Sequence, residues 1–334
     1  MAAPTEEANV TYEDLADLER DFDDVETEII RRQAALTKPL YEKRQKVIAK
    51  IPNFWPLVFE QAPPDIDQYI LPSDSAVLLS SLNSISVSRF EIEDGTDGDP
   101  RSIAIQMNFA DNEYFEDKVL EKKFWYRHSK DGDASLVSEP VPIKWKAGKD
   151  LTQGMLDLVV KVWEQEKSQA QTNGDSKKAK KTQEWSPDQK ALMEKIQATG
   201  LGGVSFFCWF GYRGENISAE ESRLAIEKIQ KERAQRASGE APELKAVVEA
   251  EEEDEDEETS LEIFPDGDEL AVAISDELWP NAIRYFTQAQ EADAVSDVDF
   301  EEEDEDDMDE EDDDDDEDEG EASTKEPPLK KRKA

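Results

Sequence analysis

The sequence predicts an α+β fold: a long amphipathic N-terminal helix, then a four-stranded antiparallel sheet covered by helices, then a disordered acidic tail. Three observations predict it. Leu15, Leu18, Phe22, Val25, Ile29 and Leu36 recur at steps of three, four and seven, as one narrow apolar seam on a helix would. From Asn83 the period becomes alternating, the mark of strands with one buried face. From Glu301 to Glu321 nineteen of twenty-one residues are acidic, and such a run repels itself and buries nothing.

The helix is expected over Leu15 to Ile51, within a segment spanning 11–52, with residues 1–10 as a frayed start. Glu19, Asp21, Asp23, Asp24, Glu26, Glu28, Arg31 and Arg32 wrap its other faces in charge. After Leu36 the apolar positions move to Leu40, Val47, Ile48 and Ile51, and Pro39 predicts a kink or short break near Thr37 to Leu40. A seam this narrow suits a second helix better than a sheet, so antiparallel pairing with a second copy is favoured over packing along the chain's own domain.

Asn53 to Pro64 reads as the joint to the globular part, and Tyr69 to Leu82 as a short helix started by Leu71-Pro72-Ser73. Strands are expected over Ser84 to Ile92, Ile103 to Phe109, Val119 to His128 and Val141 to Trp145, with turns at Asp94 to Pro100 and Asp131-Gly132-Asp133. Leu151 to Glu166 is predicted helical, with Leu151, Met155, Leu158, Val159 and Val162 on one side. Lys167 to Glu184 reads as a flexible linker. Ser186-Pro187-Asp188 starts a further helix, stopped at Gly200 to Gly203, and Ser205 to Phe210 is apolar enough to lie deep in the body. Ser218 and Glu221 form a capping box for a helix reaching about Arg236. After the acidic run Glu249 to Glu258, folded sequence resumes at Leu261 and ends near Phe286.

Of 334 residues, 83 are acidic and 39 basic, for a net charge of −44. The two acidic runs carry 28 of those charges, so the remainder is only moderately acidic. With no apolar run of eighteen residues and no signal-peptide pattern, the expectation is an intracellular chain with no membrane span. One cysteine, Cys208, and one histidine, His128, leave little for a metal cage or acid–base chemistry. Gly200 to Gly203 follows a helix and not a strand, so it does not read as a phosphate loop. Neither an enzyme nor a cofactor is expected.

The order Ile51-Pro52-Asn53-Phe54-Trp55, Asn112 to Leu120, Ile143 to Thr152, Ser205 to Phe210, then Leu278-Trp279-Pro280-Asn281 resembles the nucleosome assembly protein family. The Trp of Ser-Phe-Phe-Cys-Trp-Phe and the segment Lys144-Trp145-Lys146-Ala147-Gly148-Lys149-Asp150 are similar to its SET-like branch. The resemblance implies a homodimer joined by the long helix through Leu15, Leu18, Phe22, Val25, Ile29, Leu36, Leu40 and Val47. It implies an "earmuff" domain over 53–286, with inserts at about 153–204 and 211–261, and a tail over 287–334. It also implies an ATP-independent histone chaperone binding H3–H4 or H2A–H2B and promoting nucleosome assembly. By motif position, Lys149, Asp150, Asp268 and Glu269 fall on the histone- or DNA-facing surface. Asp276 and Glu277 are added as acids for the same task, although the acids also fit an ordinary role at helix N-termini.

Glu301, Glu302, Glu303, Asp312, Asp313 and Asp314 belong to a brush that attracts basic partners without much selectivity, or serves only solubility. Lys330, Lys331, Arg332 and Lys333 read as a nuclear localisation signal for an import receptor, or as a cluster folded back on the acids. The nucleus, with possible shuttling to the cytoplasm, is the expected location, and any DNA contact is weak or indirect. A different class of role is an adaptor for a histone acetyltransferase or an inhibitor of a phosphatase or acetyltransferase, placed in the inserts.

Overall fold

The computed structural model describes residues 12–96, 98–173, 185–199, 203–237 and 261–292. Helix α1, Tyr12–Ile48, runs 37 residues, about 55 Å at ~1.5 Å per residue. The break expected near Pro39 does not form. Proline withholds a single N–H, the one that would reach the Ala35 carbonyl, and the helical ladder continues on both sides of it. At the far end Ile48 is buried. Arg44 lies over the rings of Tyr41 and Trp279, 4.7 and 4.6 Å from their centroids. Its guanidinium donates to the Trp279 and Pro280 carbonyls at 2.6 and 3.3 Å. This joint fastens α1 to the body.

The stretch expected only as a joint contains helix α2, Phe54–Glu60, which buries Phe54, Trp55, Val58 and Phe59. The helix expected over Tyr69 to Leu82 is α4, Pro72–Ser81, which begins at the Leu71-Pro72-Ser73 start signal, and a single turn before it, α3 (Pro64–Asp67), was not expected. Pro72 sets the boundary, since proline fits a first helical turn and not an interior one.

Strands β1 (Leu82–Ser88), β2 (Ile103–Phe109), β3 (Val119–His128) and β4 (Ala134–Ser138) form one sheet in sequence order, with antiparallel neighbours. The second and third match expectation. The first is shorter than Ser84 to Ile92 implied, because Phe90–Gly95 winds into a 3-10 helix. The fourth is corrected: it is Ala134–Ser138, directly after the Asp131-Gly132-Asp133 turn. Val141 lies between two prolines without ladder donors, and the stretch 141–145 makes one isolated bridge, Phe115 to Trp145.

One face of the sheet carries Ile103, Ile105, Met107, Leu120 and Phe124, all buried. Helix α5, Met155–Asn173, covers the core with Met155, Leu156, Val159 and Val162. The linker expected from Lys167 is therefore helical to Asn173, and 174–184 lie outside the described residues. Helix α6 is Pro187–Thr199 and α7 is Ala219–Ala237. At the start of α7 the Ser218 hydroxyl accepts from the Glu221 N–H at 3.1 Å. Helix α8, Gly267–Val272, continues as a π-helical segment, Ala273–Leu278. Helical structure over 282–292 passes the end expected at Phe286.

Phe206–Gly211, a 3-10 helix, is buried throughout. Its surroundings satisfy it. The Asp74 carboxylate accepts from the Ser205 hydroxyl at 2.6 Å and the Phe206 N–H at 2.8 Å. Trp209 donates its indole N–H to the Gly267 carbonyl at 2.7 Å, and a Cβ at Gly267 would lie 2.3 Å from the Tyr212 ring. Lys122, on the core-facing stripe of β3, donates to the carbonyls of Glu139, Phe210 and Tyr212 at 2.9, 3.0 and 2.6 Å. Burial pushes its pKa down to about 7, while Glu262 and Glu139 pull the other way. Three acceptors match the three donors of an ammonium, so the geometry favours the charged form.

Lys122→Met removes the donor from three carbonyls at once. Chemical denaturation should show a loss of about 3 kcal/mol or more; an unchanged midpoint would mean that the carbonyls find other donors.

Candidate self-association and partner-binding surfaces

Helix α1 presents its polar face to its own body. The Arg101 guanidinium donates to Asp23 at 2.9 and 3.0 Å and to Asp99 at 2.8 Å, and lies 3.8 Å from the Tyr126 ring centroid. Arg236 of α7 donates to Asp17 at 2.7 and 2.8 Å, and this bond holds the Asp17 carboxyl below its ordinary range. Arg233 pairs with Asp21 and, at 2.9 Å, with Asp24. Arg31 donates to the Gly98 carbonyl at 2.9 Å, and Lys38 pairs with Glu93 at 3.5 Å. Acids that the sequence suggested were a solvated wrapping are thus a latch, and α7, within the predicted 211–261 insert, supplies half of it.

The apolar seam faces the other way. Leu15, Leu18, Phe22, Val25, Ile29, Leu36, Leu40 and Val47 are all exposed, from 50% at Leu15 to 73% at Leu36. Charge is also divided along α1: in 12–30 nine residues are acidic and one basic, whereas in 31–50 seven are basic and one acidic. Two copies laid antiparallel oppose unlike halves, and two laid parallel oppose like ones.

The residues singled out for partner contact have separate surroundings. Asp150 is committed to its own loop, accepting from the Thr152 N–H and hydroxyl at 2.8 and 2.6 Å and from the Gly154 N–H at 2.6 Å. Lys149 pairs with Glu113 at 3.4 Å over the Tyr114 ring. Asp276 pairs with Arg89 at 2.7 Å, and Glu277 accepts from the Tyr285 hydroxyl at 2.6 Å. Burial and then that bond push Tyr285 up to about 12.

Asp268 and Glu269 occupy the first turn of α8. Near Glu269 the Tyr69 hydroxyl donates to Asp266 at 3.1 Å, and burial, then Asp266, Glu269 and Asp65, push Tyr69 up to about 12. The convergence of Asp65, Asp266 and Glu269 has no signal in the sequence, because α3 and α8 are about two hundred residues apart. Glu301, Glu302, Glu303, Asp312, Asp313, Asp314 and Lys330, Lys331, Arg332, Lys333 lie outside the described residues.

Cys208 is fully buried, and burial pushes its thiol far up, so a reactive thiolate is disfavoured. Among the described residues, no group of three His, Cys, Asp or Glu side chains is placed to hold a metal ion, and no helix is long and apolar enough to cross a membrane.

A four-stranded α+β body bearing a long helix, with that helix latched by charge and its apolar seam uncovered, defines an architecture suited to self-association. The family model described as Nucleosome assembly protein (NAP) matches residues 48–289, and the chain belongs to that family. The match begins at the last residue of α1, so the role of the helix rests on its own geometry.

A Schizosaccharomyces pombe protein named as a nucleosome assembly protein is 39% identical over 155 residues, 43% of this chain and 61% of its own length. Protein SET of Drosophila melanogaster is 38% identical over 125 residues, 36% of this chain and 43% of its own length. The chain thus spans less than two thirds of these relatives. The solved structure of Vps75 is 23% identical, with a TM-score of 0.49 over 83% of this chain and 96% of that one.

Two predictions follow from the latch. Replacing Arg233 and Arg236 together with alanine should speed amide hydrogen exchange in 12–28 without altering exchange in β2 and β3; uniform exchange would separate the latch from helix stability. His128 is half-buried beside the latch, its backbone N–H donating to the Ser222 hydroxyl at 3.0 Å. Burial, with Arg101 second, lowers its pKa. The unfolded chain therefore takes up a proton near pH ~6.5 while the folded one resists, so stability should fall as pH drops through 6.5 toward the lower folded value. His128→Gln should remove that slope in unfolding curves.

Proposed function

We propose that this chain is an ATP-independent histone chaperone that works as a homodimer, shields the basic surface of core histones, H3–H4 or H2A–H2B, and delivers them to DNA. The observation that carries the reading is a net charge of −44, concentrated in two acidic runs, on a chain of the nucleosome assembly family. Histones and DNA attract each other mainly through charge and counterion release, so a carboxylate-rich competitor lowers nonspecific binding without consuming a nucleotide. Glu301 to Glu321 supply long-range attraction. Selectivity belongs to the body, where Glu269 with Asp65 and Asp266 supports the reading better than Asp150, which is already committed.

Self-pairing through the α1 seam makes two such bodies act on one cargo. Exposed apolar side chains on one face of a helix, opposite a face held by ion pairs, support that pairing. Lys330 to Lys333 would bring the chain into the nucleus, where its cargo is used.

Light scattering after size exclusion, on the chain alone and with each histone pair in moderate salt, tests the reading. A dimer forming a stoichiometric, salt-resistant complex is the expected result; loose association that vanishes with salt would reduce the protein to a polyanion. Phe22→Asp with Ile29→Asp should halve the mass, and a variant still dimeric would remove the seam from the interface. Deleting 301–321 should lower the salt dependence of histone affinity, and an unchanged slope would make that run a spectator.

A further inference from the structure

Helix α7 is held in two different ways along its length. Its first half is packed: Ser222 and Ala225 are buried, and the Ser222 hydroxyl accepts from the His128 N–H of β3. Beyond Ala225 none of its described side chains is buried. There it meets α1 through Arg233, on Asp21 and Asp24, and through Arg236, on Asp17. The two helices run antiparallel, since higher numbers on α7 face lower ones on α1. Asp17, Asp21 and Asp24 recur at steps of four and three, so they form one carboxylate strip along α1. Asp17 also accepts from Arg20 at 3.1 Å. A guanidinium presents a fork that fits a carboxylate, and ion pairs this exposed are individually weak.

We propose that the second half of α7 is an autoinhibitory strap: Arg233 and Arg236 occupy, from within the chain, a strip that binds an arginine-rich segment of a partner, and the partner must displace them. The inference adds a closed state to the chaperone reading above, and rests on that reading only for taking the partner to be a basic protein. The strip's present occupant shows what it accepts: two guanidinium groups three residues apart, on carboxylates at matching spacing. A run of arginines brings more such forks than the two on α7, so it displaces them once it is bound. The rest of 12–30 adds attraction, with nine acids against one base. Release costs little, since no buried side chain of α7 beyond Ala225 is drawn out. The apolar seam of α1 faces the other way, so the strap opens without disturbing it. While the strap is closed the strip is covered, and the partner's apparent affinity is reduced by the fraction of time the strap is open.

The probe is an octa-arginine peptide carrying a photoreactive group, titrated against the full-length chain, with crosslinks mapped by mass spectrometry. Arg233→Ala with Arg236→Ala should lower the half-saturating concentration for crosslinks in 15–28 by roughly fivefold or more. Lys228→Ala with Lys231→Ala, which removes the same charge from exposed positions of the same helix, should leave it unchanged. Adding Asp17→Asn, Asp21→Asn and Asp24→Asn to the arginine variant should abolish those crosslinks. Mapping keeps binding at the acidic runs 249–258 and 301–321 separate from binding at the strip. Equal concentrations for the unaltered chain and the arginine variant, or an equal fall in the lysine control, overturn the strap. Crosslinks confined to the acidic runs in every variant overturn the strip as a binding surface. As a second readout, saturating the unaltered chain with the peptide should speed amide exchange in 229–237 while 219–225 stays protected; unchanged exchange in 229–237 overturns the displacement. A chain that binds neither histone pair in the light-scattering test overturns the chaperone reading, and the peptide outcomes still decide the strap.

Discussion

The body depends on making a buried stretch of irregular backbone tolerable. Phe206–Gly211 lies at the centre of the core, where every unpaired amide is costly. Asp74 reaches it from α4, Lys122 from β3, and Trp209 itself reaches out to Gly267 at the start of α8. These bonds fix three elements around one segment. An ammonium and a carboxylate are buried in the same core, each spent on backbone and hydroxyl groups, so neither is available as a reactive group. Two of the most unusual side chains in the molecule are thereby structural.

The long helix solves the opposite problem. Its apolar residues are turned away from the body, and its charged residues are turned inward to Arg101, Arg233 and Arg236. Exposed ion pairs are individually weak, but several along one face select a single rotational setting of the helix. That setting determines what the seam can meet. The body therefore holds the helix without covering any of the seam.

Much of this was legible in the sequence, and the remainder has identifiable physical causes. β2 and β3 were readable because alternation is local, and the seam because its spacing is local. The fourth strand was misplaced because Val141 to Trp145 has a strand's side chains but a proline-interrupted backbone. Lys122 escaped notice because a lysine in an alternating run is normally read as solvent-facing, whereas here Glu121 and Lys123 take that face. The latch escaped because Asp17 and Arg236 are over two hundred residues apart. Among the candidate contacts, Asp150 looked available only because its carboxylate's bonds to Thr152 and Gly154 depend on the loop's exact shape.

Continuity across Pro39 has a consequence for how this chain tolerates changes in length. In an unbroken helix, inserting one residue turns everything beyond it by about 100° and advances it ~1.5 Å. An insertion in the middle of α1 would carry Leu40, Val47 and Arg44 around the axis relative to Asp17, Asp21 and Asp24, so the joint and the latch could no longer be satisfied together. A loop would absorb that change, but this rod has none. Its length is therefore adjustable only in near-integral turns, three or four residues at a time, while the loops of the body remain free to drift.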